Sequence, residues 1–375
     1  MGSIAPTKPS ILFVTANLPT PEDEAAIWIG KIEAYLSDPL CALRARGAAV
    51  HLRTFQDPGL TAEAIASTYT HVLFLAADKY IHHMRAFTTL LAATLPAAQR
   101  LNPTLRIHNP PALAAWNANK TYLAELQDST TARSTTFHVP RTSFLDPRTT
   151  SAAALAAHLA ADPHVAASPS TPVVLKPSIA ASGHSTHLIR APLALVAADV
   201  AALEAMRAAA QPGAMVLVQE YLPRVAARDG DGGSGGEWSM VVVAGRLTHA
   251  VRKRPRAGEF RINSAFEGVW EPMGAEGDER VPECGKRVAG EVWEWLVGKE
   301  RALKAERGEE GVLGREELLY ARVDGVVGED GEFVLMEVEL IEPWLWLLDR
   351  EGHPGREGLR VFVDALVGEE GGGLK

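Results

Sequence analysis

Residues 320–343 read YARVDGVVGEDGEFVLMEVELIEP. Two apolar runs flank Gly328-Glu329-Asp330-Gly331, the residue types of a tight turn, so the stretch predicts a strand, a turn and a second strand. Successive side chains of a strand point to opposite faces, so Glu337 and Glu339 share one face, with Asp324 on the strand before the turn. Like charges withdrawn from water repel one another and lose hydration unless something positive lies between them. Carboxylates are hard oxygen ligands, so Asp324, Glu337 and Glu339 read as a Mg²⁺ site of the kind that shares its shell with phosphates.

The chain around this hairpin has 375 residues, which predicts two or three domains, and its 47% hydrophobic content supplies a sizeable core. No window approaches the ~18 uncharged apolar residues of a membrane span. The first residues, MGSIAPTKPSILFVTANLP, lack a secretory layout, and two cysteines, Cys41 and Cys284, cannot build a disulfide framework. A cytoplasmic protein is the expectation. A net charge of −9 argues against nucleic acid as a partner.

Early in the chain, strands and helices alternate. SILFVTANL (10–18), AAVHLRTF (48–55) and THVLFLAA (70–77) read as strands, and residues 22–46 carry a helical pattern that stops at Gly47. Alternation of this kind predicts an open parallel sheet over residues 1–110, with Pro110-Pro111 marking its exit. PALAAWNANKTYLAEL (from 111) reads as one helix, 152–162 and 191–210 as Ala-rich helices, and PVVLKPS and AMVLVQEYL as strands. From 237 the texture changes to strand, Ala-Gly turn, strand (EWSMVVVAGRLTHAVRK), followed by a helix at 288–304 and the opening hairpin. The expected fold class is an N-terminal α/β open parallel-sheet domain followed by an α+β region.

GDGGSG (230–235) fits the dinucleotide pattern but leads into a strand instead of opening a helix, so it reads as a loop. The sequence holds no P-loop and no H-E-x-x-H. A phosphate site without a P-loop can still be assembled. Lys176 lies in the apolar VVLKP, and a buried lysine needs an anion or loses its proton. Ser178, Ser182, Gly183 and Ser185 follow, small residues suited to wrapping phosphates. Lys120 is a second cation at a helix start, and Gln219-Glu220-Tyr221-Leu222 ends a strand whose backbone could read an adenine edge.

NANKTYLAEL (117–126), VVLKPSIAASGHST (173–186), VLVQEYLP (216–223), GEWSMVVVAGRLTHAVRKRPRAGEFRIN (236–263) and the opening hairpin stand in an order that resembles the ATP-grasp enzymes. The resemblance covers roughly residues 110–345, toward the branch with glutathione synthetase, D-alanine–D-alanine ligase, the RimK-type ligases and the ligase of cycloserine biosynthesis. It implies an ATP-grasp domain of two subdomains, central 111–222 and C-terminal 223–375, after an N-terminal domain 1–110. Lys120 and Lys176 would hold the nucleotide phosphates under a mobile loop at Ser182-Gly183. Glu220, Tyr221 and Leu222 would bind adenine, and Glu237 the ribose or an adjacent group. Arg261 and Arg322 would face the γ-phosphate, Lys253 would contact phosphate or substrate, and Asp324, Glu337 and Glu339 would bind one or two metal ions.

The implied cofactors are ATP and Mg²⁺, for which Mn²⁺ could stand in, and the implied partners are a small-molecule carboxylate and an amine. Two departures stand out: Glu339 replaces the Asn of an E-x-N pattern, and Phe266-Glu267-Gly268 replaces paired glycines. They keep open a nucleotide-binding protein without chemistry, and a kinase-like phosphotransferase is a third reading beside the ligase. Trp28, Tyr80 and His83 are candidates to line the acceptor side, while Trp344 and Trp346 read as packing residues.

Overall fold

The early alternation of strand and helix builds a parallel sheet. A computed structural model describes residues 8–16, 34–77, 79–131, 137–181, 183, 185–227, 235–256, 268–308 and 318–368. The first sheet has the order β2-β1-β3-β4, from β1 (Ser10–Thr15), β2 (Ala49–Thr54), β3 (His71–Leu73) and β4 (Arg106–His108). All three pairings are parallel. The crossovers are α1 (Ala34–Ala45), α2 (Ala62–Thr68) and a helical run through α3 (Met84–Thr89) to α4 (Leu95–Leu101). The helix expected over 22–46 is described from Ala34 onward; its earlier part lies outside the described residues.

The single helix expected from residue 111 is two. α5 (Pro111–Asn117) ends where the Asn117 side chain turns to a distant strand, and α6 (Tyr122–Thr131) begins after a short break. An Asx-type bond from the Thr121 N–H to Asn119 Oδ1 shapes that break, which carries Lys120.

The second sheet is antiparallel, in the order β5-β8-β6-β7, from β5 (Thr142–Leu145), β6 (Val173–Pro177), β7 (His187–Ile189) and β8 (Val216–Glu220). Helices α7 (Ala152–Ala161), α8 (Pro163–Ala167) and α9 (Ala197–Ala208) accompany it, α7 capped by Ser151. Leu155, Leu159, Val173, Leu175, Leu203 and Val216 form one core, so Leu175 faces the helices and Lys176 the opposite side.

The third sheet, β11-β10-β9-β12-β13, is antiparallel throughout. Its strands are β9 (Glu237–Val243), β10 (Arg246–Arg254), β11 (Val269–Gly274), β12 (Tyr320–Val327) and β13 (Phe333–Glu339). Ala244 and Gly245, both at positive φ, close the β9–β10 hairpin. One face, with Trp238, Met240, Val242, Ala321 and Val323, packs on α10 (Glu283–Glu306). The other has two halves. Toward one end Val241, Val243, Val251 and Tyr320 share a core with Ile11 and Phe13 of the first sheet, Leu40 of α1 and Phe362 of α11 (Gly355–Val367). Each fully buried Leu or Phe there contributes roughly 1.5–3 kcal/mol, so the first and third sheets are held against each other. The other end of this face is charged. Among the described residues no helix is long and apolar enough to cross a membrane.

Candidate active site

The charged end begins with a register shift. Arg322 pairs with Glu339, Val323 with Val338 and Asp324 with Glu337, but Gly325 pairs with Leu335, leaving Met336 as an extra residue on β13. A Cβ on Gly325 would collide with the Val334 carbonyl and the Phe333 ring, so glycine lets the strands close over the bulge. The bulge sets Glu337 directly across from Asp324. On the neighbouring strands Ser239 pairs with Asp324 and Glu237 with Lys253.

Basic side chains lie between these acids. The Arg322 guanidinium bonds Asp324 through Nε at 3.0 Å and Nη2 at 2.8 Å, and its Nη2 also pairs with Glu339. Lys253 pairs with Glu237 and lies 3.3 Å from Asp324 Oδ2, and the Ser239 hydroxyl donates to Asp324 at 2.5 Å. Lys120 Nζ meets Glu337 at 2.8 Å. Burial works to raise the Asp324 carboxyl, but Arg322 and Lys253, with the hydrogen bonds from Arg322 and Ser239, hold it at about 2. Burial pushes Glu339 up to about 7; Glu337 and Asp324 add to that and Arg322 opposes it. Burial also raises Glu237 against the pull of Lys253, whereas Lys120 and Lys176 outweigh burial and lower Glu337.

Lys120 also ties three segments together. Its N–H donates to the Ser178 carbonyl at 2.7 Å and its Nζ to the Ala180 carbonyl at 2.7 Å, besides Glu337. Ser178, expected to wrap phosphate, instead accepts the Met215 N–H on its hydroxyl oxygen at 2.8 Å and is fully buried. The loop continues to Gly183 and Ser185, both at positive φ, and Ser182 lies outside the described residues. Lys176 differs from its neighbours. It is half-buried, bonds no described residue through Nζ, and burial lowers it to about 8, with Lys120 adding to that while Glu337 and Glu237 oppose it.

At the end of β8, Glu220 is exposed, and its N–H bonds the Arg141 carbonyl at 2.9 Å. Leu222 packs with Val225, Val326, Val334 and Met336, a small apolar cluster between the end of β8 and the hairpin. Tyr80 is buried against Phe87, and its hydroxyl is raised by burial and by Glu342, Glu339 and Glu337, which places it within electrostatic reach of the acids. His83 packs near Phe55 instead. Arg261, Trp28, Phe266 and Glu267 lie outside the described residues.

Several residues that hold this arrangement carry no signal in residue type alone. β13 is an edge strand, yet its outer backbone is satisfied at Val338. The Val338 N–H donates to Tyr122 Oη at 2.9 Å, and the Val338 carbonyl accepts from Asn117 Nδ2 at 2.8 Å and from Tyr122 Oη at 3.0 Å. Asn117 Oδ1 takes the Leu340 N–H at 3.0 Å. Buried Asn109 bonds the Tyr320 and Leu340 carbonyls and the Leu319 N–H.

The donors expected for a metal, Asp324, Glu337 and Glu339, are hard oxygens on adjoining strands, the right chemistry for Mg²⁺. Among the described residues no group of three or more His, Cys, Asp or Glu is drawn together as a metal cluster, since Arg322 and Lys120 occupy the spaces between these acids.

No family model and no curated protein matches the sequence. Solved structures do match. The D-cycloserine synthetase DcsG is 20% identical with a TM-score of 0.62, over 95% of this chain and 99% of that one. A RimK domain ATP-grasp protein from Sphaerobacter thermophilus is 19% identical with a TM-score of 0.52, over 96% and 99%. A D-alanine–D-alanine ligase from Bacillus anthracis complexed with ATP is 14% identical with a TM-score of 0.51, over 96% of each chain. The chain has the ATP-grasp fold. In ATP-grasp terms, the charged end of the third sheet faces the second sheet's loop through Lys120.

Proposed function

We propose that this ATP-grasp protein is an ATP-dependent carboxylate–amine ligase acting through an acyl phosphate, on amino-acid-like small molecules. The observation that carries the reading is Lys176. It is a half-buried cation with no bonded partner among the described residues, beside Lys120 and a cluster of acids. A cation so placed is completed by an anion from outside, and a triphosphate supplies one. The Bacillus anthracis ligase of the same fold is complexed with ATP, which favours ATP as the source.

In this reading Lys176 and Lys120 hold the phosphates, and the apolar cluster around Leu222 with the end of β8 (Glu220, Tyr221) receives the base. Glu237, paired with Lys253, acts by holding that lysine toward the site. Asp324, Glu337 and Glu339 would hold Mg²⁺ (Mn²⁺ could replace it), which when bound would neutralise phosphate charge. A substrate carboxylate oxygen attacks the γ-phosphorus, the bond to ADP breaks, and an acyl phosphate forms. An amine then attacks the acyl carbon, phosphate leaves with the bonding pair, and an amide results. Arg322, Lys253 and the outlying Arg261 stabilise charge on the transferring group; the protein's part is positioning and electrostatics. Ring closure within one molecule uses the same steps. The domain boundaries 1–110, 111–222 and 223–375 belong to this reading, one sheet falling in each.

The test is a metal- and ATP-dependent phosphate-release screen over pairs of amino acids, with mass spectrometry of products. ADP release that requires both a carboxylate and an amine supports the ligase. Release with one substrate alone would favour a phosphotransferase, and ATP binding without release for any pair would favour a nucleotide-binding protein.

A further inference from the structure

Trp346 combines two features that are individually unfavourable. Its backbone is left-handed, φ 48°, which a bulky side chain adopts rarely. Its indole Nε1 is buried without a hydrogen-bond partner among the described residues, in a residue only 4% exposed. A Leu or Phe would carry no orphaned N–H. Such outliers persist where the surroundings enforce them and cluster at functional sites.

The surroundings do enforce this one. Leu345 and Leu347 are both buried in the core shared by the first and third sheets, and the Leu345 carbonyl lies 2.8 Å from His249 Nε2. A Cβ on Gly355, at the start of α11, would collide with the Trp346 carbonyl, so glycine lets the helix press on that peptide. With both neighbours fixed, the indole lies against Arg322, its ring centroid 5.7 Å from the guanidinium carbon. Trp344 stacks on it at 6.1 Å and Trp270 meets it edge-on at 5.8 Å. The Trp344 carbonyl accepts from Arg322 Nη1 at 3.3 Å.

A guanidinium has five N–H donors. In Arg322 the Nε donor goes to Asp324, the two on Nη2 go to Asp324 and Glu339, and one on Nη1 goes to the Trp344 carbonyl. One Nη1 donor bonds no described residue.

We propose that Trp346 is a positioning residue for Arg322: its indole fixes the guanidinium plane so that a single Nη1 N–H is directed to the phosphoryl group. This rests on the ligase reading for what Arg322 touches, though not for how Arg322 is held. Tryptophan is the strongest aromatic partner for a cation, which accounts for the residue despite its orphaned N–H.

The experiment compares wild type, Trp346→Phe, Trp346→Leu and Arg322→Lys in three measurements. These are the Nε–H resonance of Arg322 in ¹⁵N-arginine-labelled protein (assigned by its loss in Arg322→Lys), calorimetric ATP affinity, and phosphate release with a productive pair from the screen. Trp346→Leu is expected to lose the ring-current shift of that resonance and to slow phosphate release about tenfold at unchanged ATP affinity, with Trp346→Phe restoring most of both. Equal effects of Phe and Leu, or a Leu variant with wild-type shift and rate, would overturn the proposal. If the Leu variant does not fold, Trp346→Met, which also removes the ring, takes its place in all three measurements with the same supporting and overturning outcomes. Wild type that binds no ATP would sink the ligase reading, while the resonance shift would still test the hold of Trp346 on Arg322.

Discussion

The Tyr122 hydroxyl accepts the backbone N–H of Val338 at 2.9 Å and donates to the same residue's carbonyl at 3.0 Å. Val338 stands between Glu337 and Glu339, so one phenol fixes the strand segment that aims both acids. Tyr122→Phe should lower stability by about 1–3 kcal/mol, since it leaves a buried N–H unpaired on the edge strand. It should also slow phosphate release more than it weakens ATP binding, because Lys120 and Lys176 are untouched. Urea unfolding beside calorimetric titration of ATP checks both; unchanged stability would show that Asn117 alone suffices to hold β13.

Lys176→Ala should separate binding from folding. Burial already works against the charged form of this lysine and no described residue bonds it, so its removal should leave the melting temperature unchanged or raised. Loss of a charge-assisted contact to phosphate should weaken ATP binding about 10- to 100-fold. Wild-type ATP affinity in this variant would remove Lys176 from the nucleotide site.

Glu337→Gln should keep the fold and lose turnover, by about a hundredfold or more, if this carboxylate serves the transferring phosphoryl group. Circular dichroism and phosphate release measure the two halves. Near-normal release would move the metal-binding role away from β13.

The opening hairpin was readable from the sequence because alternation and the Gly-Glu-Asp-Gly turn are local signals. The shared face of Glu337 and Glu339 and the place of Lys176 at an apolar strand end follow from the same period-two rule. What lay beyond reach was set by distant contacts. The helix expected from residue 111 breaks because Asn117 and Tyr122 bond Val338 and Leu340, more than two hundred residues away. The place of Arg322 and Lys120 between the acids depends on the bulge at Met336, which no pattern announces. Short β4, β5 and β7 carry too few residues for a period, and α11 was missed although it presses on Trp346.

Acid should destabilise the protein through two buried histidines. Burial depresses His249, on β10, to about 4, and burial with Arg106 does the same to His71. The unfolded chain takes up a proton near pH 6.5 that the folded chain refuses until about pH 4, so stability present above pH 6.5 is lost as pH falls through that window. Each histidine accounts for up to about 3 kcal/mol. Glu339, raised to about 7, works in the opposite direction over part of the same range, so the comparison must be with a variant. Urea unfolding of wild type and His249→Gln from about pH 7.5 to about pH 4.5 should show a shallower acid loss in the variant; parallel curves would mean that His249 is charged when folded.

The acyl phosphate makes a prediction that belongs to no other route. A carboxylate substrate labelled with ¹⁸O should pass one labelled oxygen to inorganic phosphate for each amide formed, read as an isotope shift in the ³¹P spectrum. Label in the phosphate, with ADP as the other product, is the result expected of this site. Amide formed with unlabelled phosphate, or with AMP in place of ADP, would contradict the account.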